Sequence, residues 1–284
     1  MIKLVESPRE AMQSLPFVIP TNQKVRYLNT LLKVGFDTVE LGSIVSPRLI
    51  PQLADTYEVL KLLDFSGARS NGMALVVNRE GAELVCGIDG VTHLCYPYSI
   101  SPAFLHKNLN STPEKAMLTV DTLLNIGAKR KRVVVIYISM GFGNPYGDPW
   151  SLESLMESVS ELEQMGTREI TLSNVSVEIS PELIREVYFV LIPEFPAMEF
   201  GLHLHTSGMW WEGKVEAALG AGCRIFDSVI HGIGGCPMTG QELLGNLRTE
   251  DLVKFLNARN VPVNLDSILF EKSLELASDI FKEN

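Results

Sequence analysis

The fold the sequence predicts is α/β, a closed (β/α)8 TIM barrel with an extra C-terminal helix, and three observations predict it. Short apolar runs alternate with amphipathic stretches as far as the C-terminus. Eight such runs can be counted, the number that closes a barrel. The runs are nearly continuous in hydropathy, the mark of strands buried on both faces in a parallel sheet. No linker or low-complexity tract interrupts the alternation, so residues 1–284 read as one domain.

The strands fall at Ile2 to Glu6, Phe36 to Leu41, Gly72 to Val77, Val91 to Tyr96, Arg132 to Ser139, Glu169 to Ser173, Met198 to His203 and Arg224 to Val229. Each is rich in Val, Ile, Leu or Phe, the side chains that suit a buried pleated surface. Apolar residues at three- and four-residue intervals place helices at Lys24 to Lys33, Arg48 to Leu63, Arg79 to Cys86, Pro113 to Ile126 and Leu152 to Met165. The same spacing continues at Pro181 to Ile192, Trp210 to Ala221 and Thr249 to Ala258, and Val263 to Lys282 supplies the extra helix. An open doubly wound sheet competes, but no strand leads into G-x-G-x-x-G with a later acidic residue. The glycine-rich Met140 to Asn144 has the wrong spacing and reads as a loop at the barrel mouth.

Composition excludes several function classes. With a formal net charge of −10, the chain lacks the clustered cations that neutralise nucleic-acid phosphates. The one basic run, Lys129 to Arg132, reads as a solvated loop. No apolar stretch approaches the ~20 residues of a membrane span, and the N-terminus lacks the pattern of a signal peptide, so a cytoplasmic protein is expected. Cys86, Cys95, Cys223 and Cys236 show no paired spacing, which fits free thiols in a reducing compartment, three of them structural.

In a barrel of this class, chemistry sits just after the strand C-termini. His203 and His205 follow the seventh strand two residues apart, so their side chains share one side and both imidazoles can bind one ion. Arg9 and Glu10 follow the first strand, and Glu40 ends the second. After the eighth come Gly234, Gly235 and Cys236, then Asn246; the glycines let backbone approach a ligand, and the thiol could donate a proton or attack. Imidazole, carboxylate and amide oxygen donors together suit Mg2+ or Mn2+, with Zn2+ as the alternative. Trp210 and Trp211, adjacent at a helix start, read as one ring packed inward near the mouth.

Taken in order, Pro8 to Gln13, Glu40, Val45 to Pro47, Pro51-Gln52, His203-Leu204-His205, Gly234 to Pro237 and Gly245 to Asp251 resemble the DRE-TIM metallolyases, most closely the 3-hydroxy-3-methylglutaryl-CoA lyase family. The resemblance covers nearly the whole chain. It implies metal-assisted cleavage of 3-hydroxy-3-methylglutaryl-CoA to acetyl-CoA and acetoacetate, with an acyl-CoA as the small-molecule partner and a homodimer as the candidate assembly. It implies Arg9, Cys236 and Glu40 as catalytic: Arg9 on the thioester oxygen, and Cys236 as the thiol that protonates the enolate. It implies Glu10, His203, His205 and Asn246 as metal ligands, and Asn174 and Gly235 as substrate contacts. Three positions depart from the family pattern: Glu10 and Asn174 stand where Asp is usual, and Pro16 stands near the place of a Lys. Two other readings stay open, a related lyase or aldolase on another hydroxyacyl-CoA or 2-oxo acid, and a metal-binding barrel with impaired catalysis.

Overall fold

Strand β1 (Lys3–Glu6) pairs in parallel with both β2 (Thr38–Ile44) and β8 (Ile225–Ser228), so the sheet closes on itself. Between them run β3 (Asn71–Val76), β4 (Val91–Ser99), β5 (Val133–Ser139), β6 (Glu169–Ser173) and β7 (Glu199–His203), each parallel to its neighbours in chain order. The computed structural model describes residues 1–175, 177–206, 208, 210–235 and 244–282. All eight expected strands are present. Two of them run three residues further than the sequence reading gave: β2 starts at Thr38 and continues past Leu41 to Ile44, and β4 continues past Tyr96 to Ser99.

Alternation along each strand divides the apolar residues between two cores. Val5, Met73, Cys95, Val135 and Ile225 point inward and fill the barrel with Leu75 and Tyr137. Their strand neighbours, such as Leu4, Leu94, Ile136 and Phe226, point outward and pack under the helices in a much larger core. Two strong inward-pointing exceptions, Glu40 in β2 and Asp227 near the end of β8, are 1% exposed. The register of β2 slips between Glu40 and Gly42. Such a bulge re-aims the side chains beside it.

Eleven helices occupy the described residues: α1 (Pro8–Ser14), α2 (Thr21–Val34), α3 (Thr56–Leu62), α4 (Arg79–Val85), α5 (Pro102–Leu109), α6 (Pro113–Arg130), α7 (Leu152–Gln164), α8 (Pro181–Glu194), α9 (Trp211–Gly220), α10 (Thr249–Ala258) and α11 (Ser267–Ile280). Thr112, Ser151, Ser180 and Asp266 cap α6, α7, α8 and α11 by accepting a backbone N–H three residues on. The expected helix Arg48 to Leu63 divides instead, because Pro51 opens a separate 3-10 turn, Pro51–Leu53, before α3. The basic run is not a free loop: Lys129 and Arg130 form the last turn of α6, where the helix's negative end favours cations, and Lys131 caps it at φ 54°. Trp211 turns inward onto Phe255, ring centroids 5.5 Å apart, while Trp210 is 79% exposed. The C-terminal helix α11 lies against α2, with Phe281 just beyond it edge-on to Tyr27 at 5.7 Å. Among the described residues no helix is long and apolar enough to cross a membrane.

One buried carboxylate ties the two ends of the chain together. Glu6, fully buried, accepts the Ile230 N–H at 3.0 Å and the Thr249 hydroxyl at 2.5 Å, joining β1 to the start of α10. Burial outweighs these two donors and pushes its carboxyl up to about 8 from the ordinary 4.5. The native state therefore holds a proton that the unfolded chain releases, so stability falls as pH rises from 4.5 to about 8. Glu6→Gln removes this titration. Denaturant unfolding across that window is expected to show the variant gaining on the wild type with rising pH; parallel profiles would contradict the assignment.

Candidate active site

The mouth of the barrel is built around a buried guanidinium. Pro8 starts α1 directly after β1, which brings Arg9 over the open end of the barrel. Arg9 Nε and Nη2 donate to Glu40 Oε1 at 2.9 and 2.7 Å, and Nη1 lies 2.5 Å from Glu10 Oε1. Nη1 also donates to Gln13 Oε1 at 3.1 Å, and Gln13 Nε2 donates to Glu10 Oε2 at 2.8 Å. Burial works against the charge on Arg9, but the two carboxylates outweigh it and hold the guanidinium firmly protonated. Burial also opposes ionisation of Glu10, yet Arg9 and the two histidines hold its carboxyl below the usual range. For Glu40 burial prevails over Arg9, and its carboxyl is raised.

Across the mouth, His203 ends β7 and His205 continues its line, ring centroids 4.9 Å apart. The alternation that predicted a shared face is therefore realised. His203 Nδ1 faces Asp227 Oδ2 at 3.0 Å, and the Tyr137 hydroxyl donates to that same oxygen at 2.7 Å. Burial disfavours charge on His203, but the Asp227 contact raises it above its ordinary value. Burial and the neighbouring His203 push His205 down to about 4, which leaves a neutral imidazole at physiological pH.

Asn246 reaches this place by a backbone device that sequence order hides. Residues 245–248 thread between the ends of β7 and β8: Leu247 N–H donates to Leu204 O at 3.0 Å and Val229 N–H to Leu247 O at 2.9 Å. Asn246 thus pairs opposite His205. Its Nδ2 donates to Ile233 O at 3.0 Å, while its Oδ1 is buried without a partner among the described residues. Gly234, at φ +113°, lets the eighth-strand loop lie against α1; a Cβ there would sit 2.5 Å from Glu10 O.

Arg9, Glu10, His203 and His205 all line one cavity of about 140 Å³, whose walls include Leu49, Ile50, Phe104 and Leu109. Glu40 stands behind Arg9 rather than on the cavity wall. Asn174 is not on the cavity wall, and its side chain is bonded to backbone. Its Oδ1 accepts His205 N–H at 2.8 Å, and its Nδ2 donates to His205 O at 2.8 Å and Val177 O at 2.6 Å. Gly235, buried at φ 128°, is not on the cavity wall either. Cys236 lies outside the described residues.

The donor set fits a hard divalent ion in part. A neutral imidazole, a second imidazole oriented by a carboxylate and an orphaned amide oxygen are suitable ligands side by side. Among the described residues, however, no three His, Cys, Asp or Glu side chains are gathered as a ligand cluster. The physical reason is Glu10, whose two oxygens are engaged by Arg9 and Gln13. Sequence reasoning missed Asp227, Tyr137 and Gln13. A lone acid inside the apolar run Ile225-Phe226-Asp227-Ser228-Val229 was the available signal for the first.

Comparison with known proteins covers nearly the whole chain. Residues 2–276 match the HMGL-like family. Hydroxymethylglutaryl-CoA lyase YngG of Bacillus subtilis is 29% identical over 273 residues, covering 95% of this chain and 88% of that protein. The mitochondrial hydroxymethylglutaryl-CoA lyase of Mus musculus is 30% identical over 272 residues, covering 94% and 82%. Among solved structures, an HMG-CoA lyase from Acinetobacter baumannii in complex with coenzyme A and 3-methylmalate superposes with a TM-score of 0.90 at 25% identity, covering 99% of this chain and 91% of that one. Hydroxymethylglutaryl-CoA lyase from Pseudomonas aeruginosa gives 0.90 at 26%, covering 100% and 94%.

Asn174 yields a prediction that runs against the family pattern. Asn174→Asp would keep the acceptor for His205 N–H but lose both donors and set a charge against two carbonyls. A loss on the order of 2 to 4 kcal/mol is expected in urea unfolding, with no gain in turnover. Unchanged stability with raised activity would contradict the clamp.

Proposed function

The chain belongs to the HMGL-like family, and from that premise we propose that it is a carbon–carbon lyase cleaving 3-hydroxy-3-methylglutaryl-CoA into acetyl-CoA and acetoacetate. One observation carries the reading: a guanidinium held by two carboxylates shares a cavity with a neighbouring pair of imidazoles. Breaking the bond between C2 and C3 leaves an electron pair on the thioester side, delocalised onto the thioester oxygen. Arg9 is the cation placed to stabilise that oxygen, and Glu40 fixes its direction in a buried site where the interaction is strong. The hydroxyl gives up one proton and the enolate carbon takes one, so cleavage needs no oxidant or further reactant. Cys236, which follows Gly234-Gly235 in the sequence, is the proton donor on this reading.

His203, His205 and Asn246 would hold a divalent cation, Mg2+ or Mn2+ in preference to Zn2+, with Glu10 turning from Gln13 to join them. When bound, such an ion supplies Lewis acidity that lowers the pKa of the tertiary hydroxyl and eases cleavage. Three buried free thiols, Cys86, Cys95 and Cys223, fit a reducing compartment, the cytoplasm.

A second reading has an observation of its own. The cavity wall carries Leu49, Ile50, Phe104 and Leu109, an apolar surface that would favour an apolar substituent, so a related 3-hydroxyacyl-CoA is the alternative substrate.

Purified protein with Mg2+ or Mn2+ and 3-hydroxy-3-methylglutaryl-CoA is expected to release acetoacetate and acetyl-CoA, and chelation to stop it. Arg9→Met should lower kcat by about 100-fold or more. A folded, metal-loaded enzyme that produces no acetoacetate would sink the primary assignment, and turnover of 3-alkyl homologues alone would favour the second.

A further inference from the structure

Asp227 is an unusual occupant of a barrel interior. It sits on β8 two residues after Ile225, which packs in the inner apolar core, and it is 1% exposed. Its described ion-pair partner is His203 alone. Oδ2 receives the Tyr137 hydroxyl at 2.7 Å and faces His203 Nδ1 at 3.0 Å. Oδ1 is buried with no partner among the described residues. A carboxyl group so placed costs stability, and packing alone would be better served by an apolar side chain.

The geometry has a direction. Tyr137 points its hydroxyl at Oδ2 while its ring stands edge-on to His203, centroids 5.9 Å apart and planes at 75°. The tyrosine thus braces both the acid and the imidazole. Since Oδ2 acts as an acceptor, His203 must present N–H at Nδ1, and its other nitrogen, Nε2, is left with the lone pair. His205 is oriented differently, through its main chain, by the Asn174 amide. The two imidazoles therefore have separate supports, one from a side chain inside the barrel and one from backbone at its rim.

We propose that Asp227, braced by Tyr137, is a positioning residue that fixes His203 as the Nδ1–H tautomer and so sets the affinity of the mouth for a divalent cation. This rests on the metal-binding reading above. A carboxylate on the far nitrogen both orients a ligating imidazole and makes it a better donor, and losing such a support weakens metal binding by about 10- to 100-fold. Asp227 touches none of the reacting atoms in this scheme.

Two measurements test it, one without metal. Long-range 1H–15N correlation spectra of the metal-free wild type, recorded where imidazoles are neutral, should show His203 protonated at Nδ1. Asp227→Asn keeps an acceptor oxygen and should retain that tautomer; Asp227→Ala should populate the Nε2–H form. Mn2+ titration followed by electron paramagnetic resonance should then show affinity about 10- to 100-fold weaker in Asp227→Ala, with Asp227→Asn falling between it and the wild type. Tyr137→Phe, which leaves the acid in place, should give a smaller loss and serves if the alanine variant does not fold. A purely structural acid would lower the melting temperature without moving tautomer or affinity, and that result overturns the proposal, as does an Nε2–H tautomer in the wild type. Failure of the wild type to bind Mn2+ overturns the metal reading instead, while the tautomer spectra still decide whether Asp227 orients His203.

Discussion

A buried positive charge sets the terms for the mouth of this barrel. Arg9 and Glu40 have side chains only 8% and 1% exposed, and a guanidinium so far from water persists only where carboxylates compensate it. That requirement fixes α1 against β2, since Arg9 comes from one and Glu40 from the other. The β2 bulge belongs to the same constraint, because it lies immediately beside the acid that must meet Arg9. Once α1 is held, Glu10 is carried over the opening and Gly234 can close in against its carbonyl. The eighth-strand loop and the first helix are therefore set by one ion pair.

The same pair explains why Glu10 behaves as it does. Its carboxylate is one methylene longer than the Asp of the resembling family, and here it folds back to Arg9 and Gln13. Arg9 is thereby held between two acids, and Glu10 answers both to the guanidinium and to the histidines. A cation at the histidines would compete with Arg9 for this carboxylate. The chain's departure from the Asp pattern at residue 10 thus acts on the balance between two positive charges.

Much of this was legible in the sequence, and the parts that were not share physical causes. The eight strands announced themselves because both faces are buried and the runs are continuously apolar. Helices α1 and α5 lie directly after β1 and β4, in segments the sequence reading took as loops at the barrel mouth, and Pro51 broke a stretch whose apolar spacing looked continuous. Arg9, Glu10, His203 and His205 were found because they lie where strands end, the place the fold class singles out. Asp227 lies within a strand, so the search for strand ends passed over it. Asn174 occupied the expected position but bonds backbone, since whether an amide faces a cavity or backbone depends on a loop path that no local pattern records. Asn246 was placed by its order in the family pattern, while the reason it meets His205, a backbone pairing, is visible only in three dimensions.

The central claim is that the two imidazoles and the amide oxygen form a cation site beside Arg9. Anomalous diffraction from crystals soaked in Mn2+ tests it most directly. The account predicts a single strong peak bounded by His203, His205 and Asn246, with Glu10 turned toward it. A peak elsewhere, or none at this position in crystals that bind the ion in solution assays, would contradict it.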